Sequence, residues 1–263
     1  MRVIKIPRIN AMGLKGSEKA PNLVLQELKS NYPDFGKLDL EEIHVDNDNI
    51  SEAQELIYEN SKEEFEERGQ GIFIGGDHSI SFPSVKAFFE VYGKESVLIV
   101  FDAHADCVEP GKEPTHEEWL RGIVEIGFKP ENIVLIAVRK FYKGEKEFLN
   151  KKGIKYFSEI DSENLEAVGD YLSEKMHGKP SYVSVDVDVL DPVYMPGVNY
   201  PELLGLSSKE LFYLLKRIFH VKTLKGFDIV EIVPEKDDKG LSVKLGSKIL
   251  QEFLEIRTKK NGE

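Results

Sequence analysis

Eight apolar, β-rich runs alternate with eight helix-patterned stretches along this chain, and that alternation limits the fold more than any other feature. Strands are expected near 2–6, 42–45, 71–75, 97–102, 133–138, 154–157, 181–187 and 225–230. Helices are expected over 22–31, 51–68, 83–92, 115–126, 144–152, 163–176, 207–219 and 241–257. Ser207 and Glu210 have capping-box spacing, and Leu241, Leu245, Ile249, Leu250, Phe253 and Leu254 form an apolar stripe on the last helix. DNDNISEAQ at 46–54 reads as a surface turn and helix start, and TKKNGE at 258–263 as a frayed tail. Strands alternating with helices imply a parallel sheet covered on both faces. Eight such steps can close into a barrel or spread into an open doubly wound sheet, and periodicity does not separate the two. Both architectures place ligands beyond the carboxyl ends of the strands.

The residues able to do chemistry stand where those runs stop. FDAHAD at 101–106 and SVDVDVLDP at 184–192 each end an apolar run with acids or His at alternate positions. Side chains two apart on extended chain point the same way. Asp102, His104 and Asp106 should therefore converge from one strand end, and Asp186 and Asp188 from another. GGDHS at 75–79 adds His78 after the run GIFI. A strand-end aspartate often only caps the following helix, which explains one such segment but not three together. Buried carboxylates without partners are costly, and two divalent cations would neutralise and satisfy this group. The donors are oxygen-rich, with imidazole and no thiolate. That disfavours structural zinc and suits Mn²⁺, with Fe²⁺, Co²⁺ or Ni²⁺ also compatible. Two such metals would share a water and aim it at an electrophile.

Composition narrows the partners. The net charge of −12, with no extended basic patch, argues against nucleic acid and favours a cationic small molecule. No apolar run approaches the roughly 18 residues of a membrane span, and MRVIKIPRIN reads as a strand rather than a signal peptide. Cys107 is the single cysteine, so no internal disulfide forms and a cytoplasmic setting is expected. No second cysteine or Cys–His spacing supports a thiol nucleophile.

Taken in order, GGDHS, DAHAD, SVDVDVLDP and GFDIVEIVPEKD resemble the ureohydrolases, the family of arginase and agmatinase, over about residues 70–257. The resemblance implies a single domain over 1–263, built as an open three-layer α/β/α sandwich with an eight-stranded, mainly parallel sheet. It implies that His78, Asp102, Asp106 and Asp186 hold one Mn²⁺. His104, Asp102, Asp186 and Asp188 would hold the other, with Asp102 and Asp186 bridging. The implied reaction is hydrolysis of a guanidinium group to urea and an amine by a metal-bridging hydroxide, in the setting of polyamine metabolism. Glu231 matches the family's guanidinium-binding Glu, with Asp228 in support. His116, ten residues after Asp106, matches the proton shuttle of agmatinase-like members, although THEEW lacks the Gly that usually follows. A homo-oligomer, trimeric or hexameric, is also implied.

Departures from the family pattern bear on the substrate. Arginases usually carry Asn two positions after the last ligand of DAHxD, where this chain has Val108, so the resemblance is closer to agmatinase. The loop 107–118 carries Glu109, Glu113, Glu117 and Glu118. If it lines the mouth, it favours a substrate with a cationic far end, such as agmatine, and Glu109 is a candidate contact. PGVNYP at 196–201 stands where PGTGTP is usual, which loses a Thr hydroxyl at Val198 and makes Asn199 and Tyr200 candidate substrate contacts. The alternatives are an arginase, a formiminoglutamase-like enzyme and a non-catalytic metal-binding relative. The second needs basic residues at the mouth, where only Arg121 and Lys112 are near. The third has no need of Glu231 and His116. Asp77 and Asp191 are read as orienting turns or supporting the ligands, Trp119 as packing or a lid edge rather than a substrate stacker, and His44, His177 and His220 as outside the motifs.

Overall fold

The computed structural model describes residues 1–10 and 14–260. Its strands are β1 (Arg2–Ile6), β2 (Asp39–Glu42), β3 (Gly71–Gly75), β4 (Val97–Phe101), β5 (Ile133–Ile136), β6 (Lys155–Phe157), β7 (Ser181–Asp186) and β8 (Leu224–Val230). They form one sheet in the order β2-β1-β3-β8-β7-β4-β5-β6, with every neighbouring pair parallel. The sheet is open, with β2 and β6 as its edges, which settles sheet against barrel. The helices are α1 (Ala20–Asn31), α2 (Ile50–Arg68), α3 (Ser81–Tyr92), α4 (Trp119–Glu125), α5 (Glu145–Lys152), α6 (Leu165–Met176), α7 (Ser208–Phe219) and α8 (Leu241–Lys260).

Alternation along each buried strand builds the three layers. Val97, Ile99 and Phe101 of β4 join the core under α1, α6, α7 and α8, whereas Leu98 and Val100 face the core under α2 to α5. The Ser207–Glu210 capping box forms as expected, with Glu210 Oε2 accepting from Ser207 N at 2.7 Å. Asn49 caps α2. Gly226 is required where β8 passes β7, because a Cβ there would lie 2.0 Å from the Tyr182 ring.

Three expectations need correction. The second strand lies at 39–42 rather than 42–45. Its residues DLEE are largely exposed, and the edge strand is held by the backbone register Arg2↔Asp39 to Lys5↔Glu42 rather than by apolar packing. Only 119–125 of the helix expected over 115–126 is helical. Thr115 and Glu118 satisfy each other's backbone in a turn, with Thr115 N donating to Glu118 Oε2 at 3.1 Å, which competes with helix. The last helix runs on to Lys260, so the expected fraying does not begin at 258, and 261–263 lie outside the described residues.

What matters for the site is strand order. β3, β8, β7 and β4 are neighbours at the centre of the sheet, so segments far apart in sequence end side by side.

Candidate metal centre

Local hydrogen bonds aim the donors. Asp102 Oδ1 accepts from His104 N at 2.6 Å, and Asp186 Oδ1 accepts from Asp188 N at 2.8 Å. Asp188 Oδ1 is held by Ala103 N at 3.0 Å. Each carboxylate thus gives one oxygen to a backbone N–H and turns the other inward. The alternate spacing works through these two-residue Asx turns rather than through continued strand. β4 ends at Phe101, and Asp186 is the last residue of β7.

The inward atoms meet. Nδ1 of His78 lies 3.0 Å from Asp102 Oδ2, 3.1 Å from Asp106 Oδ2 and 3.3 Å from Asp186 Oδ2. Nδ1 of His104 lies 2.9 Å from Asp188 Oδ2 and 3.5 Å from Asp102 Oδ1. His78, Asp102 and Asp186 form one donor group and Asp102, His104 and Asp188 a second, the ligand atoms of each within 4.8 Å of one another and Asp102 common to both. All six predicted ligands are therefore brought together and buried.

Whether divalent cations fit can be judged from the donors themselves. His78 Nδ1 and Asp102 Oδ2 are close but lack hydrogen-bond geometry, and both remain without a partner although fully buried. Two ligands of one cation behave this way, because each points at the ion rather than at the other. The protonation balance agrees. Burial, then the charge of Asp102, pushes Asp106 up to about 7. Burial and the neighbouring Asp188 and Asp102 raise Asp186 well above the carboxylate range. Burial disfavours charge on His78 and His104, yet the facing carboxylates outweigh it and raise both. Asp102 is held low by the two imidazoles despite its burial. With protons as the only counter-charge, some of these acids must stay protonated, and a dication competes for the same oxygens. The donor set fits.

A second layer of contacts fixes the ligands. His78 Nε2 meets Ser184 Oγ at 2.9 Å, and Ser184 Oγ donates to Asp228 Oδ1 at 2.6 Å. Asp228 Oδ2 accepts from Ser81 Oγ and Tyr182 OH, each at 2.8 Å. Trp119 is fully buried and donates Nε1–H to Asp106 Oδ2 at 2.9 Å. Glu145, also buried, accepts from Cys107 N at 2.9 Å and from Tyr142 N at 2.6 Å. The guanidinium of Arg139 donates to the carbonyls of Ala137, Asp188, Val189, Leu190, Glu202 and Leu203. Sequence reasoning placed Asp228 in support but missed Ser184, Ser81, Tyr182, Glu145 and Arg139, and took Trp119 for packing or a lid edge rather than a partner of Asp106. Ser184 sits inside the motif SVDVDVLDP on a fully buried strand, which was the available signal, whereas Ser81 lies two residues beyond GGDHS at the start of α3. Cys107 is buried, and burial pushes its thiol up, away from a reactive form.

Above the ligands lies a narrow cavity walled by His116, Glu117, Tyr142, Tyr200 and Glu231. Glu231 adopts φ 68°, a left-handed conformation costly for a side chain, and is held there by its N–H to Gly76 O and by His78 N donating to its Oε1, both at 2.8 Å. Burial, then Asp77, raises Glu231 well above the usual carboxylate range. The Tyr200 ring stacks on His116 at 5.9 Å and meets His104 edge-on at 6.0 Å. Asn199 lines an adjoining cavity shared with His116, Tyr200 and Glu231. Glu109 is not brought in. Its side chain is 83% exposed, lies 3.9 Å from Arg121 and borders neither cavity, whereas Glu117 of the same loop does reach the wall. Val198 is buried in the core. Asp77 and Asp191 accept from backbone N–H groups and orient turns, as expected.

A family model described as the Arginase family matches residues 9–255. The chain belongs to the arginase family. It is 34% identical to the agmatinase of Bacillus subtilis (strain 168) over 184 residues, a match covering 69% of this chain and 61% of that protein. It is 30% identical to the arginase of Staphylococcus aureus (strain MRSA252) over 251 residues, 87% of this chain and 80% of that one. The crystal structure of the agmatine ureohydrolase of Thermoplasma volcanium superposes with a TM-score of 0.86 at 24% identity, covering 99% of this chain and 90% of that chain, which shows the shared fold. The chain spans about three fifths of the length of the Bacillus subtilis agmatinase, and its His/Asp clusters could bind metal. Among the described residues no helix is long and apolar enough to cross a membrane.

Proposed function

We propose that this arginase-family hydrolase cleaves the guanidinium group of a small cationic, agmatine-like substrate to urea and an amine. One ion would be held by His78, Asp102, Asp106 and Asp186, the other by Asp102, His104, Asp186 and Asp188, with Mn²⁺ best suited to so oxygen-rich a set. When bound, the ion pair supplies a water activated for attack on the guanidinium carbon. The observation that carries this reading is the pair of donor groups sharing Asp102, with buried ligand atoms that face each other without bonding.

The protein's own residues supply the rest. A guanidinium arriving at Glu231 provides the counter-charge that burial denies its carboxylate, and a planar carboxylate aligns the planar cation. The leaving amine needs a proton, and His116 stands in the same wall with both ring nitrogens unpartnered among the described residues. Tyr200 stacked on that ring keeps it in place. The cation preference rests on the linings: Glu117 and Glu231 are present, while among the described residues no Lys or Arg borders either cavity. That weighs against a carboxylate-bearing formimino substrate. Arg121, one of its two candidate anchors, is turned to Glu125 at 3.0 Å.

The test is urea release from Mn²⁺-loaded enzyme on agmatine, arginine and 4-guanidinobutyrate. Agmatine should lead, and Glu231→Gln and His116→Ala should each lower kcat/KM by about 10²-fold or more. Preference for guanidinobutyrate, or no urea from any guanidine with two metals bound, overturns the reading.

A further inference from the structure

The cavity beside the metal chamber has its own character. It is small, with room for little more than a water-sized group, and its far side is formed by Leu14, Ser17, Asp77 and Asn199. Ser17 is fully buried, and its Oγ has no hydrogen-bond partner among the described residues. Oδ1 of Asn199 and both ring nitrogens of His116, itself 8% exposed, are likewise unpartnered among the described residues. Buried polar atoms are nearly always satisfied, and each one left alone costs about 1–3 kcal/mol. Unpartnered atoms from three different segments gathered around one small space mark a place shaped for a guest.

The guest's chemistry follows from what is already engaged. Both oxygens of Asp77 are occupied, by Asn10 N and by Ser79. Glu231 gives Oε1 to His78 N. What is left among the described residues is an amide oxygen, a hydroxyl, an imidazole and a second carboxylate oxygen, with two acids and no Lys or Arg in the lining. Acceptors predominate, so an anion is repelled and an N–H donor is welcomed.

We propose that this second cavity is a subsite for a small N–H-donating group, an ammonium or a carboxamide-type NH₂, reached along the wall of His116, Tyr200 and Glu231. The proposal rests on the guanidine-hydrolase reading and deepens it. The group comes either from the far amino end of the substrate or from the released urea.

The experiment uses Mn²⁺-loaded wild-type protein, Ser17→Ala and Asn199→Ala. It reads the kcat/KM ratio of agmatine to butylguanidine, which lacks the ammonium, together with inhibition by urea. Calorimetric binding of 1,4-diaminobutane and of urea is measured in parallel. If the substrate's far end occupies the subsite, the ratio and the diamine affinity fall about tenfold in both variants. If urea does, its inhibition and its affinity weaken by about as much while the ratio holds. Ser17→Thr, which keeps the hydroxyl, should retain wild-type values and separates loss of the bond from loss of the fold. Ratio, inhibition and both affinities all within about twofold of wild type in both alanine variants overturn the proposal. Failure of the guanidine reading looks different: no guanidine yields urea, while the calorimetric binding and its loss in the variants remain measurable.

Discussion

Ser184→Ala removes one hydroxyl and tests whether the metal centre is held from behind. Ser184 Oγ meets His78 Nε2 at 2.9 Å and donates to Asp228 Oδ1 at 2.6 Å. Asp228 Oδ2 keeps its bonds from Ser81 and Tyr182, so the damage is confined to Oδ1 and to the back of the His78 ring. Both orphaned groups belong to fully buried residues. At about 1–3 kcal/mol for each, with some relaxation, we expect a loss of roughly 2–4 kcal/mol of folding stability. For a chain of this size each kcal/mol lowers Tm by about 2–4 °C. The ring also loses the partner that fixes its tautomer and aim, and loss of such a support typically weakens metal binding about 10–100-fold. The donor group containing His104 does not touch Ser184 and should keep most of its affinity. Calorimetric titration of chelator-treated protein with Mn²⁺ should therefore resolve two unequal events, one weakened and one near wild type, beside a lowered Tm. Equal weakening of both events, or a normal titration with a normal Tm, would refute the reasoning.

Two further substitutions probe the scaffold. Arg139→Lys keeps the charge but cannot span six carbonyls with one ammonium. We expect at least about 3 kcal/mol of destabilisation in urea titration, with the His104 and Asp188 metal event weakened more than the His78 event; an unchanged titration would count against this role. Gly76→Ala would place a Cβ 1.8 Å from the carbonyl oxygen of Arg8, a backbone clash that no rotamer relieves. A loss of about 2 kcal/mol or more is expected, and a wild-type Tm would show that the β1 and β3 ends are free to part.

Much of the fold was legible because parallel, doubly covered strands advertise themselves as apolar runs, and VLIVF at β4 or IVLI at β5 has no other use. The edge strand was misplaced for the opposite reason: DLEE pairs through its backbone and buries little, so hydrophobicity pointed to the wrong residues. The metal donors were readable because Asx turns are local, closing between Asp102 and His104 and between Asp186 and Asp188. Ser184 and Tyr182 escaped because their meeting with Asp228 depends on β7 and β8 being neighbours with Ser184 opposite Asp228, a long-range register no local pattern encodes. Glu109 was misjudged because loop residues of one charge look alike in sequence, and only the course of the loop sends Glu117 inward and Glu109 out.

That contrast divides the site into two mechanical parts. The floor is carried by β3, β4, β7 and β8, four adjacent strands whose ends are tied by backbone bonds, buried hydroxyls and the Arg139 clamp. Shifting one ligand there would break several buried polar contacts at once, at roughly 1–3 kcal/mol each. The mouth is carried by loops, with Glu117 before α4, Tyr142 before α5 and Tyr200 in the long connection from β7 to α7. A side chain on such a loop can be exchanged without disturbing any ligand. On the proposed function, substrate choice should therefore rest on loop residues that share no hydrogen bond with the metal ligands. A Tyr200→Thr exchange should accordingly alter substrate preference while leaving both metal-binding events in place. Loss of a metal event in that variant would mean that the stacked ring on His116 and His104 is part of the floor after all.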